Sequence, residues 1–271
     1  MILYKNRENK WIETDQLSEA INITLPKSYN SLRFISVVGA GGKSTVCRRL
    51  VREWSKLGLR SVLTTTTHIL KEPGMPFFDN LDAAATFLND KVGPIELGCE
   101  RMISPSKIKV TSLPIETHIQ LKEIADRVAC EGDGASCRPA KFPNWHEPVF
   151  SPVTDLSIVV WGLSALGQPL AEVCHRPTLA AQYLGCQETD LLDAATSVKL
   201  IRGGYLQRNT SVVESYDGEL NPFFETLSPP ENTPYVVVLN QADDPEHIAL
   251  AKEMASALTP TPVLITQLLK F

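Results

Sequence analysis

Residues 35–50 read ISVVGAGGKSTVCRRL. A short β-branched run, a glycine cluster, Lys43-Ser44 and a helical pattern follow one another without a break. The run FISVV (34–38) has the continuous apolar character of a strand buried on both faces. After the glycines, Cys47, Leu50, Val51, Trp54 and Leu57 recur at helical spacing and predict one apolar stripe, with Gly58 as the terminator. RSVLTTTT (60–67) then reads as a second strand rich in Val and Thr. Strand, helix and strand within about thirty residues make a βαβ unit. Its turn, Gly39-Ala40-Gly41-Gly42-Lys43-Ser44-Thr45, is either a plain connection or a seat for an anion. Glycines allow close backbone approach, and a helix N-terminus offers unpaired amides. Lys43 adds a point charge for terminal phosphates, and the Ser44 hydroxyl is a Mg²⁺ ligand by type.

Moving outward, LDAAATFL (81–88) and PIETHIQLKEIAD (114–126) predict helices, GPIELGCERM (93–102) a strand and RVAC (127–130) a short strand. DLSIVVWGL (155–163) and PYVVVLNQADD (234–244) are strand signals, and PVLIT (262–266) is the last. Helices are expected in RPTLAAQYLG (176–185), ETDLLDAAT (188–196) and EHIALAKEMASAL (246–258). The alternation predicts an α/β fold, P-loop NTPase-like, with a mostly parallel sheet flanked by helices on both faces. Residues 1–30 read as a lead segment with a helix near Asp15 to Ile21. Residues 31–271 read as a single nucleotide-binding domain, with 203–234 the stretch that carries least pattern.

Composition narrows the function classes. The 271 residues are 43% hydrophobic and 21% charged, with a net charge of −5, which fits a globular domain with a sizeable core. No basic run suits nucleic acid or a polybasic membrane contact, so neither partner is expected. No apolar stretch reaches the roughly 18 residues of a span. The opening MILYKNRENKW is polar after three residues, unlike a secretory leader. Six cysteines without a C-x-x-C pair predict reduced, incidental thiols, and a cytoplasmic location is expected.

Further candidates stand at expected strand ends. The general phosphate-loop pattern G-x-x-x-x-G-K-[ST] would need glycine at Val37; the loop here is the shorter G-x-x-G-K-S from Gly39 to Ser44. Similar short loops bind ATP phosphates in the Mur ligases. In TTTTHI (64–69), Thr65 and Thr66 either express β-propensity alone or present hydroxyls to Mg²⁺ or phosphate. In CEGDGASCRPAK (130–141), Glu131 and Asp133 point the same way if the strand persists. They then suit a magnesium contact or a water-orienting base. Arg138 and Lys141 suit phosphate or an acidic substrate; a solvated loop is the competing reading. NQADD (240–244) is similar to the N-K-x-D guanine reader, with Asn240 and Asp243 in place and Gln241 where lysine stands. A helix-capping turn explains it equally. His146 in HEP and His175 in HRP fit structural turns.

Taken in order, GAGGKS, TTTTHI, EGDGASCRPAK, HEPV, CHRP and LNQADD, together with GLSALGQPL (162–170), resemble the YqeC family across 34–258. The resemblance implies an accessory role for selenium-dependent molybdenum hydroxylases. It supports Gly39, Gly41, Gly42, Lys43 and Ser44 as the phosphate loop, and Glu131, Asp133, Arg138 and Lys141 as site residues. Gly132 stands where the family has alanine. The expected function is an Mg²⁺-dependent protein that binds ATP or GTP, an NTPase acting in maturation of that cofactor. Lys43 would hold phosphate, Ser44 with Glu131 or Asp133 would hold Mg²⁺, and Arg138 or Arg176 would steady charge. The molybdenum hydroxylase or its cofactor is the expected partner. Two rivals stand beside it: a ligase or kinase acting on a small molecule, and a non-catalytic carrier or scaffold switched by nucleotide.

Overall fold

The computed structural model describes residues 1–25, 32–104, 107–208, 215–216, 219–220 and 227–268. The glycine loop sits at its centre because the strand before it does. That strand, β3 (Phe34–Gly39), is buried along all six residues. It runs parallel to β10 (Arg127–Glu131) on one side and β12 (Leu156–Gly162) on the other. Beyond β10 come β4 (Ser61–Thr65), β7 (Pro94–Leu97) and β6 (Phe77–Phe78), all parallel. Beyond β12 come β16 (Tyr235–Asn240) and β17 (Val263–Thr266), also parallel. At that edge β1 (Ile2–Lys5) pairs antiparallel with β17, and β2 (Trp11–Thr14) antiparallel with β1. The result is a ten-stranded, mostly parallel sheet in the order β2-β1-β17-β16-β12-β3-β10-β4-β7-β6.

Helices cover both faces, and the pleat of β3 decides which residue meets which layer. Ile35 and Val37 face α1 (Leu17–Thr24) and α2 (Lys43–Lys56). Phe34 and Val38 face the other way. There α3 (Leu81–Asp90) and α4 (Thr117–Ile124) pack at one end of the sheet. At the other end lie α6 (Pro177–Leu184), α7 (Ala194–Ile201) and α8 (Pro245–Ala257), with one-turn α5 (Leu170–Val173) beside them. This is the expected α/β class, and the central order β4-β10-β3-β12-β16 is compatible with a P-loop arrangement. From β3 the chain leaves toward β4, whereas β12 and β16 lie on the opposite side. The crevice beyond the carboxyl end of β3 is therefore a topological switch point.

Several local expectations change. GPIELGCERM splits at Gly98, where a Cβ would come within 2.4 Å of Val110 Cγ1. The chain leaves the main sheet there for a small antiparallel sheet of β5 (His68–Leu70), β9 (Lys107–Thr111) and β8 (Cys99–Ser104). ETDLLDAAT is mostly not helical. Asp193 caps α7 by accepting from the Thr196 amide, so the helix starts where its cap stops the turn. Leu57 leaves the apolar stripe and is exposed. Of the lead segment 1–30, the described residues 1–25 supply β1, β2 and α1. Of the 203–234 stretch, 209–214, 217–218 and 221–226 lie outside the described residues. Arg202–Leu206 is a π-helix, and Ser215–Tyr216 and Glu219–Leu220 pair as short strands β14 and β15. The two-residue strands β11 (Ala140–Lys141) and β13 (Cys174–His175) form a parallel pair. Among the described residues no helix is long and apolar enough to cross a membrane.

Candidate functional site

The loop leaves β3 on positive φ angles at Gly39 (97°), Gly41 (82°) and Gly42 (127°). Gly41 is the most constrained: a Cβ there would lie 2.3 Å from the Gly162 amide nitrogen and 2.8 Å from the Pro139 carbonyl. The Ala40 amide donates to Val160 and the Gly41 amide to the Arg138 carbonyl. Asn240, buried at the carboxyl end of β16, donates Nδ2 to the Gly41 carbonyl at 2.8 Å. Its Oδ1 accepts from the Thr266 hydroxyl and the Leu268 amide. The loop is thereby pinned by β12 and by β16 beyond it. Gly42 then starts α2 with no side-chain cap and no acid in the first turn, so no side chain of the helix itself partners the amides of Lys43, Ser44 and Thr45.

Lys43 is buried and its ammonium turns back into the protein. Nζ donates to the Gly39 carbonyl at 2.7 Å, lies 3.4 Å from Asp133 Oδ1, and lies 3.7 Å from Glu131 Oε1. Glu131 ends β10 one strand away, and its Oε2 accepts from the Ser44 hydroxyl at 2.7 Å. Asp133, two residues on, also accepts from the Gly39 amide at 3.1 Å. The two carboxylates thus converge on one ammonium. Burial opposes the charge on Lys43, but Asp133 and Glu131 outweigh it and raise its pKa. Burial pushes the Glu131 carboxyl up against the pull of Lys43 and Ser44.

A second lysine extends the cluster. Lys141 is fully buried on β11; its Nζ lies 3.0 Å from Asp133 Oδ2 and 2.9 Å from Glu147 Oε2, and donates to the Gly134 carbonyl at 2.5 Å. Glu147 also accepts from Arg176 through two bonds of 3.1 Å. Burial raises Glu147, yet Arg176 and Lys141 win and hold it at about 2. A line of alternating charge therefore runs Glu131–Lys43–Asp133–Lys141–Glu147–Arg176. Burial lowers the pKa of His175, and Lys141 and Arg176 lower it further against the opposing pull of Glu147 and Asp133.

The remaining candidates divide. The Thr65 and Thr66 hydroxyls donate to the Glu131 and Val149 carbonyls, at 2.9 and 2.8 Å. They tie β4 to the strand end that carries the acids. The Arg138 guanidinium reaches the Ala171 carbonyl at 3.4 Å, so only its backbone touches the loop. Asp243 is exposed, and Asp244 caps α8 by accepting from the His247 amide. His146 lies edge-on against Trp145. Cys130 is buried and Cys137 exposed, and all six cysteines are free. The sequence marks HEP by its histidine, whereas its acid, Glu147, is what joins the cluster.

Residues 35–178, more than half the chain, match the family described as YqeC protein. The chain belongs to the YqeC family. It is 31% identical over 173 residues to "Uncharacterized protein YqeC" of Escherichia coli (strain K12), covering 62% of this chain and 67% of that one. No solved structure matches. The family match holds the loop, both carboxylates, Lys141, Glu147 and Arg176, and stops before Asn240.

Proposed function

We propose that this YqeC-family chain binds a nucleoside triphosphate with Mg²⁺ at the glycine loop and hydrolyses it, in service of maturing a selenium-containing molybdenum hydroxylase cofactor. The observation that carries the reading is Lys43, a buried ammonium held by two carboxylates at an uncapped helix N-terminus. A plain βα turn has no need of such a charge. The maturation setting rests on the likeness of the ordered motifs to the family.

The residues fit the implied groups. Gly42 lets the Asn240 side chain close on the loop, since a Cβ there would meet Asn240 Nδ2 at 2.4 Å, and the first-turn amides suit phosphate oxygens. Among the described residues no three His, Cys, Asp or Glu side chains gather as a metal cage. Mg²⁺ takes one or two carboxylates and completes its shell with phosphate oxygens and water, so Ser44 with Glu131 or Asp133 suffices. Bound there, Mg²⁺ would neutralise charge on the phosphates. Lys43 would swing from the carboxylates to the phosphate tail, and the freed carboxylate would orient water.

The test is calorimetric titration with ATP and with GTP, with and without Mg²⁺, together with a phosphate-release assay. Lys43→Ala should weaken triphosphate binding by about tenfold or more, the scale of a charge-assisted contact. Unchanged affinity in that variant overturns the reading. Tight binding without phosphate release overturns hydrolysis while leaving the binding site standing.

A further inference from the structure

Glu131 and Asp133 form a pocket of oxygen nearly closed to water, their side chains 8% and 0% exposed. The Lys43 ammonium sits in it, with the Gly39 carbonyl at 2.7 Å, Asp133 Oδ1 at 3.4 Å and Glu131 Oε1 at 3.7 Å. Carboxylate and carbonyl oxygens are also what a hard divalent cation takes as ligands. The ammonium therefore fills a seat whose chemistry suits a metal. Among the described residues Glu131 forms an ion pair with Lys43 alone, and Asp133 with Lys43 and Lys141. Two carboxylates are thus matched by two ammonium groups, and no negative charge is left over while Lys43 stays. A divalent ion entering beside Lys43 would bring two unbalanced positive charges into a dry interior. With Lys43 gone, the same two carboxylates keep only Lys141, and a cation is attracted. The ammonium rides on a flexible four-carbon stem, so it can leave while α2 stays in place.

We propose that Lys43 is an internal substitute for the metal. While the loop is empty its ammonium holds the Glu131–Asp133 seat and keeps a divalent cation out; the seat opens when a phosphate tail draws the ammonium away. The proposal rests on the reading of the glycine loop as a triphosphate site and adds an order of events to it. Metal enters together with triphosphate, and not before it.

Mn²⁺ alone, with no nucleotide present, is the probe, followed by electron paramagnetic resonance and by calorimetry on the full chain. Lys43→Met keeps an unbranched side chain and removes the charge. It is expected to bind Mn²⁺ at least about tenfold more tightly than the wild type, since a neighbouring positive charge has gone. Adding Glu131→Gln to Lys43→Met should abolish that gain. Mn²⁺ should also raise the melting temperature of Lys43→Met, because a ligand of the folded state stabilises it, and leave that of the wild type unmoved. Three results overturn the proposal: wild type and Lys43→Met binding Mn²⁺ equally, a gain that survives Glu131→Gln, or neither binding nor a melting shift in Lys43→Met, folded or not. The nucleotide reading fails by a different result. If ATP and GTP do not bind the wild type while Lys43→Met gains Mn²⁺, the triphosphate site falls and the cation seat stands. Triphosphate binding by the wild type without a Mn²⁺ gain in Lys43→Met keeps the nucleotide site and removes the gate.

Discussion

Two glycines with nearly the same backbone angle separate strain from collision. Gly41 at φ 82° is enclosed by Gly162 and Pro139, whereas Gly58 at φ 79° has nothing within 4 Å of its missing Cβ. Gly58→Ala should therefore cost only the left-handed penalty, about 1 kcal/mol. Gly41→Ala adds a clash with backbone that cannot move aside, and about 3 kcal/mol or more is expected. Urea denaturation of the pair checks the contrast, and equal losses would contradict the packing described here. Lys141 is the other sensitive position. Lys141→Met leaves Asp133 and Glu147 buried without their shared cation, a loss of about 3–5 kcal/mol by the same measurement. Arg138→Ala removes a side chain whose one hydrogen bond among the described residues is to the Ala171 carbonyl at 3.4 Å, and should cost under about 1 kcal/mol.

At the level of elements, α2 shows what the sequence can and cannot reveal. Its stripe of Val46, Cys47, Leu50, Val51 and Trp54 is legible from spacing alone and lands in the core. Trp54→Ala should cost about 3–5 kcal/mol in the same denaturation series. A further role of α2 is invisible to periodicity. The N-terminus of α1 has no side-chain cap of its own. Glu53, buried on α2, accepts from the Leu17 and Ser18 amides at 2.9 and 2.7 Å. Capping is sought a few residues away, so a cap supplied from 36 residues along the chain leaves no local signature. Glu53→Ala should cost about 1–2 kcal/mol and loosen amide exchange at the start of α1. The candidate site divides the same way. Loop glycines, Lys43, Glu131 and Asp133 announced themselves by motif, and their convergence followed from parallel neighbours. The Asn240 tie to Gly41 joins residues 199 positions apart, and only the sheet order makes it.

For the whole molecule, the ten-stranded sheet places this charged cluster at the carboxyl end of β3, which is flanked on both sides. Acid is the natural probe of that arrangement. Arg176 and Lys141 hold Glu147 at about 2, against an ordinary value of 4.5, and Arg60 holds Asp126 below its usual range. Both carboxylates bind protons more readily unfolded than folded, so the stability they give is complete above pH ~4.5 and is lost as pH falls toward 2. Thermal melts across pH 5 to 2 should show that fall, and Glu147→Gln should flatten part of it. The chain of six charges, three acids against three bases, has one more consequence. Each member is neutralised by its neighbours, so a lone neutral replacement among the buried Glu131, Lys43, Asp133 and Lys141 leaves the residue beside it short of a partner away from water, whereas Arg176 at the outer end is 29% exposed. Replacements that remove an adjacent acid and base together leave the sum at zero. A saturation mutagenesis screen of these positions would accordingly find the greatest loss of stability from single changes at Asp133 and Lys141 and the least at Arg176, with part of the loss recovered in matched doubles such as Lys141→Met with Glu147→Gln.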